Sequence, residues 1–159
     1  SVGHQTPIAL RRRPSKIRPE VPGANPFSYV RLVQPVLDQH CVTCHHKRNA
    51  LDLSGEPSDK HRWSISYANL AQEYGFYFDV TNGSIKRGIH GGSRTVPGKF
   101  GAQAAPLRNY LNESHYGVKL DDQELRRITL WLDCNCEFFG AYENTQAQAR
   151  GEVVYPTLD

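Results

Sequence analysis

Methionine is absent from this 159-residue chain, and tryptophan occurs only twice. No apolar run approaches the roughly 18 consecutive residues of a membrane-crossing helix, and the mean hydropathy is −0.59. A membrane span in this segment is therefore excluded. Charge of one sign is also lacking. Nineteen Lys and Arg against 16 Asp and Glu leave a net +3, and three of the basic residues form one run, Arg11 to Arg13. A nucleic-acid binder carries a basic stripe interleaved with aromatics, which this chain does not. The opening residues, Ser1 to His4, have no basic start followed by an apolar stretch, so the chain is expected to be processed or excised from a longer one. Its 18.0 kDa suits one compact domain. An apolar content of 38% argues against disorder, while 13 glycines and 10 prolines point to loops around a few helices.

The four cysteines fall as two close pairs, Cys41/Cys44 and Cys134/Cys136, and the first pair reads Cys41-Val42-Thr43-Cys44-His45. This is the C-x-x-C-H spacing of a c-type haem attachment site. Two thiols three positions apart can add to the two vinyl groups of one porphyrin, and the adjoining imidazole can reach the iron from one face. Chance predicts about 0.004 such strings in a chain of this composition. Two other readings use the same residues. A reducible Cys41–Cys44 pair would follow a strand in a βαβ unit, and no alternating strand pattern lies upstream. A zinc site of Cys41, Cys44, Cys134 and Cys136 has the right ligand number, but its C-x-C half is an unusual knuckle.

Around the motif, Asn25-Pro26 reads as a helix start with Asn as N-cap. Phe27, Val30, Val33 or Val36, and Leu37 follow at helical spacing, with a kink or a split expected at Pro35. The strongest helix signal is the capping-box string Asp121-Asp122-Gln123-Glu124, ahead of Leu125, Ile128, Leu130, Trp131 and Leu132. It predicts a helix over 122–133. A weaker amphipathic helix is expected over about 105–113, with Pro106 near its start. With no methionine, a His/Met iron is impossible from this chain alone, leaving histidine, cysteine, a weaker ligand or an open position.

The order of these elements resembles that of class I cytochromes c, in which the distal methionine precedes a terminal helix packed across the helix carrying C-x-x-C-H. Here Ser114 to Leu120 occupies the methionine's place, which makes His115 the expected distal ligand. His90, in Gly88-Ile89-His90-Gly91-Gly92, is the alternative. His40 and His46 lie too close to the motif to reach the opposite face, and His4 and His61 have no supporting context. Cys134 and Cys136 are read as free thiols, a labile redox pair, a bond to a partner chain or an unexpected thiolate ligand. Trp63, Tyr67, Tyr74, Tyr77 and Arg94 are candidates for the haem edge, though core packing accounts for such residues more simply.

Longer phrases carry a further resemblance: Pro26 to Val30 running into Val33 to Asp38, then Phe100 to Ala102, His115 to Leu120, and Trp131 to Asp133. They resemble the cytochrome c-like domains at the C-terminal ends of large secreted planctomycete proteins, and are similar to the C-terminal haem domain of hydrazine synthase alpha subunits. The resemblance covers most of residues 26–142. It implies a haem held by two histidines, with His115 at the distal position, and electron transfer rather than chemistry at this haem.

The expected architecture is mainly α, a class I cytochrome c-like helical domain with long loops around one covalent haem. Residues 1–25 are expected as an extended arm or linker, 26–145 as the cytochrome c domain, and 146–159 as a tail. The expected function is that of a monohaem, bis-histidine c-type cytochrome. Cys41 and Cys44 would form the thioethers, His45 the proximal and His115 the distal iron ligand. The chain would be an electron-transfer domain rather than an enzyme, serving a redox partner protein in a periplasmic or equivalent exported compartment and tethered to further domains. The alternatives are a haem enzyme or gas sensor with an open iron, and a zinc-stabilised interaction module.

Overall fold

The computed structural model describes residues 20–59, 62–75 and 100–157, together with positions 11, 13, 14, 16, 80, 81, 84, 85 and 98. The fold is mainly helical. Its helices are α1 (Tyr29–Leu32), α2 (Gln34–His40), α3 (Val42–Lys47), α4 (Ile65–Leu70), α5 (Asp122–Asp133) and α6 (Thr145–Ala149), with 3₁₀ turns at Gly101–Gln103 and Pro106–Tyr110. β1 (Val80–Thr81) and β2 (Ser84–Ile85) pair antiparallel. Among the described residues, no helix is long and apolar enough to cross a membrane.

The first helical run starts later than the Asn25-Pro26 signal suggests. Residues 24–27 form a turn closed by an Ala24–Phe27 bridge. Ser28, extended at φ −159° and ψ 119°, is the N-cap and accepts from the Arg31 N–H. The inward face is accordingly Tyr29, Leu32, Val33, Val36 and Leu37, all buried, while Phe27 and Val30 are only partly covered. Pro35 splits the run as expected, because it lacks the N–H that would continue the ladder and instead sits in the first turn of α2.

Helix α5 occupies the range its capping box predicts. Asp121 accepts from the Gln123 and Glu124 N–H groups, and Glu124 accepts from the Asp121 N–H. Ile128, Trp131 and Leu132 face the core, whereas Leu125 is 40% exposed. α5 crosses α1 through Trp131, which meets the Tyr29 ring edge-on with centroids 5.2 Å apart. Arg127 donates to the Arg31 and Leu32 carbonyls at 3.2 and 3.5 Å, serving acceptors that the short α1 leaves open. Gly23, at φ +93°, lies against this helix so closely that a Cβ would fall 2.6 Å from the Leu32 nitrogen. α6 is tied back by the buried Gln148 side chain, which donates to the Ala141 and Glu143 carbonyls at 2.8 and 2.7 Å.

His40, at the end of α2, donates to Glu124 Oε1 at 2.8 Å and so joins the motif helix to the start of α5. That bond, reinforced by the Asp121 N–H, holds the Glu124 carboxyl below its ordinary range. Glu124→Gln is expected to lower the melting temperature by about 2 °C at pH 7, since the pair is partly buried but the amide that replaces the carboxylate can still accept, which limits the loss to about 1 kcal/mol. A carboxyl depressed in the folded state stabilises above its unfolded value of 4.5, and the stabilisation fades as pH falls through the folded value. Melts of the two proteins should therefore converge in acid, and identical melts at pH 7 would reject the pair. Gly23→Ala should cost at least about 1–3 kcal/mol in denaturant unfolding, from backbone conformation and the clash with α1 together.

Candidate functional site

Leu37, Cys41 and His45 stand four residues apart and form one ridge along α2 and α3. The ladder runs through the junction, with Cys41 N–H on the Leu37 carbonyl at 2.8 Å and His45 N–H on the Cys41 carbonyl at 3.0 Å. α3 then stops in a Schellman turn. Asn49 takes φ +49°, its N–H donates to His46 at 3.2 Å, and the Ala50 N–H donates to His45 at 3.0 Å. This reversal carries the Leu51 carbonyl back to the motif, where His45 Nδ1 donates to it at 2.8 Å. A carbonyl can only accept, so in the neutral ring Nδ1 holds the hydrogen and Nε2 keeps its lone pair for a metal.

The loop supplying that carbonyl is itself held. Asn69 of α4 donates to the Asp52 carbonyl at 2.8 Å, and Gln34 donates to the Leu53 carbonyl at 3.1 Å. The Gln34 side chain accepts from Ser66 at 2.6 Å, and Ser66 accepts from the fully buried Tyr29 hydroxyl at 3.1 Å. Burial pushes the Tyr29 phenol well above its ordinary value, so it stays neutral and able to donate.

On the opposite side, the Leu107 N–H donates to the Tyr74 carbonyl at 2.8 Å and anchors the 3₁₀ turn below α4. The helix expected over 105–113 is instead this shorter 3₁₀ segment. The reason is local: bonds of the i+3 type continue to Leu111, and Asn112 then folds onto its own backbone, accepting from the Ser114 N–H at 2.9 Å. His115 follows, and the chain turns away through Tyr116 and Gly117 at φ +52° and +78°.

The centroids of the His45 and His115 rings lie 6.1 Å apart, with the ring planes tilted by 56°. An imidazole nitrogen bonds a metal at about 2.0 Å and lies about 1.1 Å from its ring centre, so rings on opposite sides of one ion would be separated by about 6.2 Å. The spacing fits. Two cavities adjoin the pair. One, of about 310 Å³, is lined by Cys41 and Cys44 together with His40, Tyr116 and Lys119. The other, of about 240 Å³, is walled by Leu37, Leu51, Leu53, Leu70, Leu107 and Leu111. Both reach Cys41, His45 and His115. A flat apolar macrocycle with its metal at the centre and two thioether bonds on one edge matches this division into a cysteine side and a leucine side.

Burial, and then the neighbouring Cys44, push the Cys41 thiol up to about 11. None of Cys41, Cys44, Cys134 and Cys136 is joined in a disulfide. The second pair diverges: Cys134 is exposed and Cys136 is fully buried. Among the described residues, no three or more His, Cys, Asp or Glu side chains gather as a metal cluster, so the four cysteines of the zinc reading are not brought together. His40 pairs with Glu124, and His46 is exposed. His4, His61, Tyr77, His90 and Arg94 lie outside the described residues. Trp63 and Tyr67 pack against each other in the core at 5.1 Å, and Tyr67 donates to the Cys136 carbonyl at 2.7 Å. Tyr74 does line the apolar cavity. Sequence reasoning missed Leu51, whose role is a backbone carbonyl that no side-chain pattern announces. It also missed Tyr110, whose ring meets His115 edge-on at 5.2 Å.

No protein-family model, curated protein or solved structure matches this chain.

Proposed function

We propose that this chain is a monohaem c-type cytochrome domain that binds one covalent haem c between two histidines and passes single electrons. The observation that carries the reading is the 6.1 Å separation of the His45 and His115 rings, beside a cavity that both motif cysteines line. Cys41 and Cys44 would hold the haem as thioethers, and the imidazoles of His45 and His115 would hold its iron. When bound, the haem supplies a one-electron ferric/ferrous couple.

The remaining work belongs to the polypeptide. The Leu51 carbonyl orients His45 and raises its basicity as a ligand. Leu37, Leu70, Leu107 and Leu111 exclude water from one side. Were both imidazoles to hold the haem, no open place would be left for a substrate, which favours electron transfer over catalysis. The proposal extends to a domain of a larger exported protein in a periplasm-like compartment, served by a redox partner protein.

Two measurements test this. After expression with a cytochrome c maturation system, the intact chain should gain the mass of one haem and show a Soret band; a colourless chain of unmodified mass rejects the proposal. His115→Ala should convert a low-spin spectrum to high-spin and let the reduced protein bind carbon monoxide promptly. A low-spin spectrum unchanged by that substitution would transfer the distal role to His90 or Cys134.

A further inference from the structure

We propose that Arg48 and Tyr116 form a latch that holds the distal imidazole over the proximal one, an inference that rests on the two-histidine reading above. The two imidazoles are positioned by different means. His45 is fixed by a hydrogen bond to Leu51, whereas the His115 ring meets no hydrogen-bond partner among the described residues and is met edge-on by two rings, Tyr110 and Tyr116, each at 5.2 Å. Tyr116 is 68% exposed, so core packing does not hold it in place.

What covers it is the Arg48 guanidinium, 4.1 Å from the ring centre, a cation–π contact. Arg48 is the C-cap of α3, with its N–H on the Cys44 carbonyl at 3.1 Å. It is therefore rigidly related to both motif cysteines and to His45. The contact ties the proximal helix directly to the residue after the distal ligand. It does so where the distal turn passes through left-handed backbone at Tyr116 and Gly117, a turn whose backbone is closed by the Gly117 N–H on the Glu113 carbonyl at 3.0 Å and the Val118 N–H on the His115 carbonyl at 3.1 Å, bonds that leave the two side chains themselves unfixed. Arg48 and Tyr116 are positioning residues: they keep His115 on station and would set how often its imidazole leaves the haem it is proposed to hold.

The test is carbon monoxide binding to the reduced, matured full-length chain, because carbon monoxide can enter only while His115 is away. Arg48→Ala and Tyr116→Ala should each raise the binding rate two- to five-fold, the range an exposed cation–π contact supports. The double variant should be no faster than either single one, while Arg48→Lys and Tyr116→Phe should remain near wild type. A readout independent of iron accompanies it: amide exchange at Val118, whose N–H donates to the His115 carbonyl at 3.1 Å, should quicken in the two alanine variants. Both side chains are exposed, so melting curves should be nearly unchanged. Unaltered carbon monoxide rates in both alanine variants, or effects that multiply in the double variant, overturn the latch and leave the two-histidine reading standing. Prompt carbon monoxide binding by wild type overturns that reading and the latch with it.

Discussion

The Tyr29 ring is the contact from which the rest of the domain takes its orientation. It meets Trp131 of α5 at 5.2 Å and Tyr67 of α4 at 5.1 Å, both edge-on, and stacks with Phe138 at 5.4 Å. One side chain thus joins three helices and the segment after α5. Its hydroxyl is fully buried and must be satisfied. The bond it makes to Ser66 continues through Gln34 to the Leu53 carbonyl. Aromatic packing in the core is coupled by that chain to the loop whose Leu51 carbonyl orients His45.

How much of this was legible in the sequence depended on how local the cause was. The capping box at Asp121 and the apolar stripe behind it act within one helix, and α5 has the range they specify. Pro35 likewise acts on its own turn. The start of α1 was misread because Asn25-Pro26 and Ser28 both suit an N-cap, and the choice between them is made by pairing: Ser28 bridges to Phe139, and the Tyr29 N–H donates to the Phe138 carbonyl. Nothing near residue 28 in the sequence reports that partner. α4 escaped notice although Ser64 and the run Tyr67, Leu70, Ala71, Tyr74 carry a cap and a helical stripe, because its six residues are too few for periodicity to stand out.

The site was legible to the same extent. The motif pointed to Cys41, Cys44 and His45 through chemistry that demands a fixed spacing, and the placement of His115 before α5 pointed to the residue whose ring lies 6.1 Å from that of His45. The supports were not legible. A Schellman turn at Asn49, a Leu51 carbonyl and a ring at Tyr110 act through backbone direction and through segments distant in sequence.

On the proposed reading, two influences oppose each other in setting the redox poise. Two imidazoles favour the more positive ferric iron, as does the His45 hydrogen bond to Leu51, which increases electron donation to the metal. Apolar burial works the other way, because the charge gained on oxidation is poorly solvated. The leucine wall supplies that burial on one side only. The cysteine side opens past Tyr116, Gly117 and Lys119, all exposed, where solvent can stabilise the charged form. On that reading the two imidazoles would hold the potential below that of a His/Met iron, and burial on one side alone would offset only part of that effect.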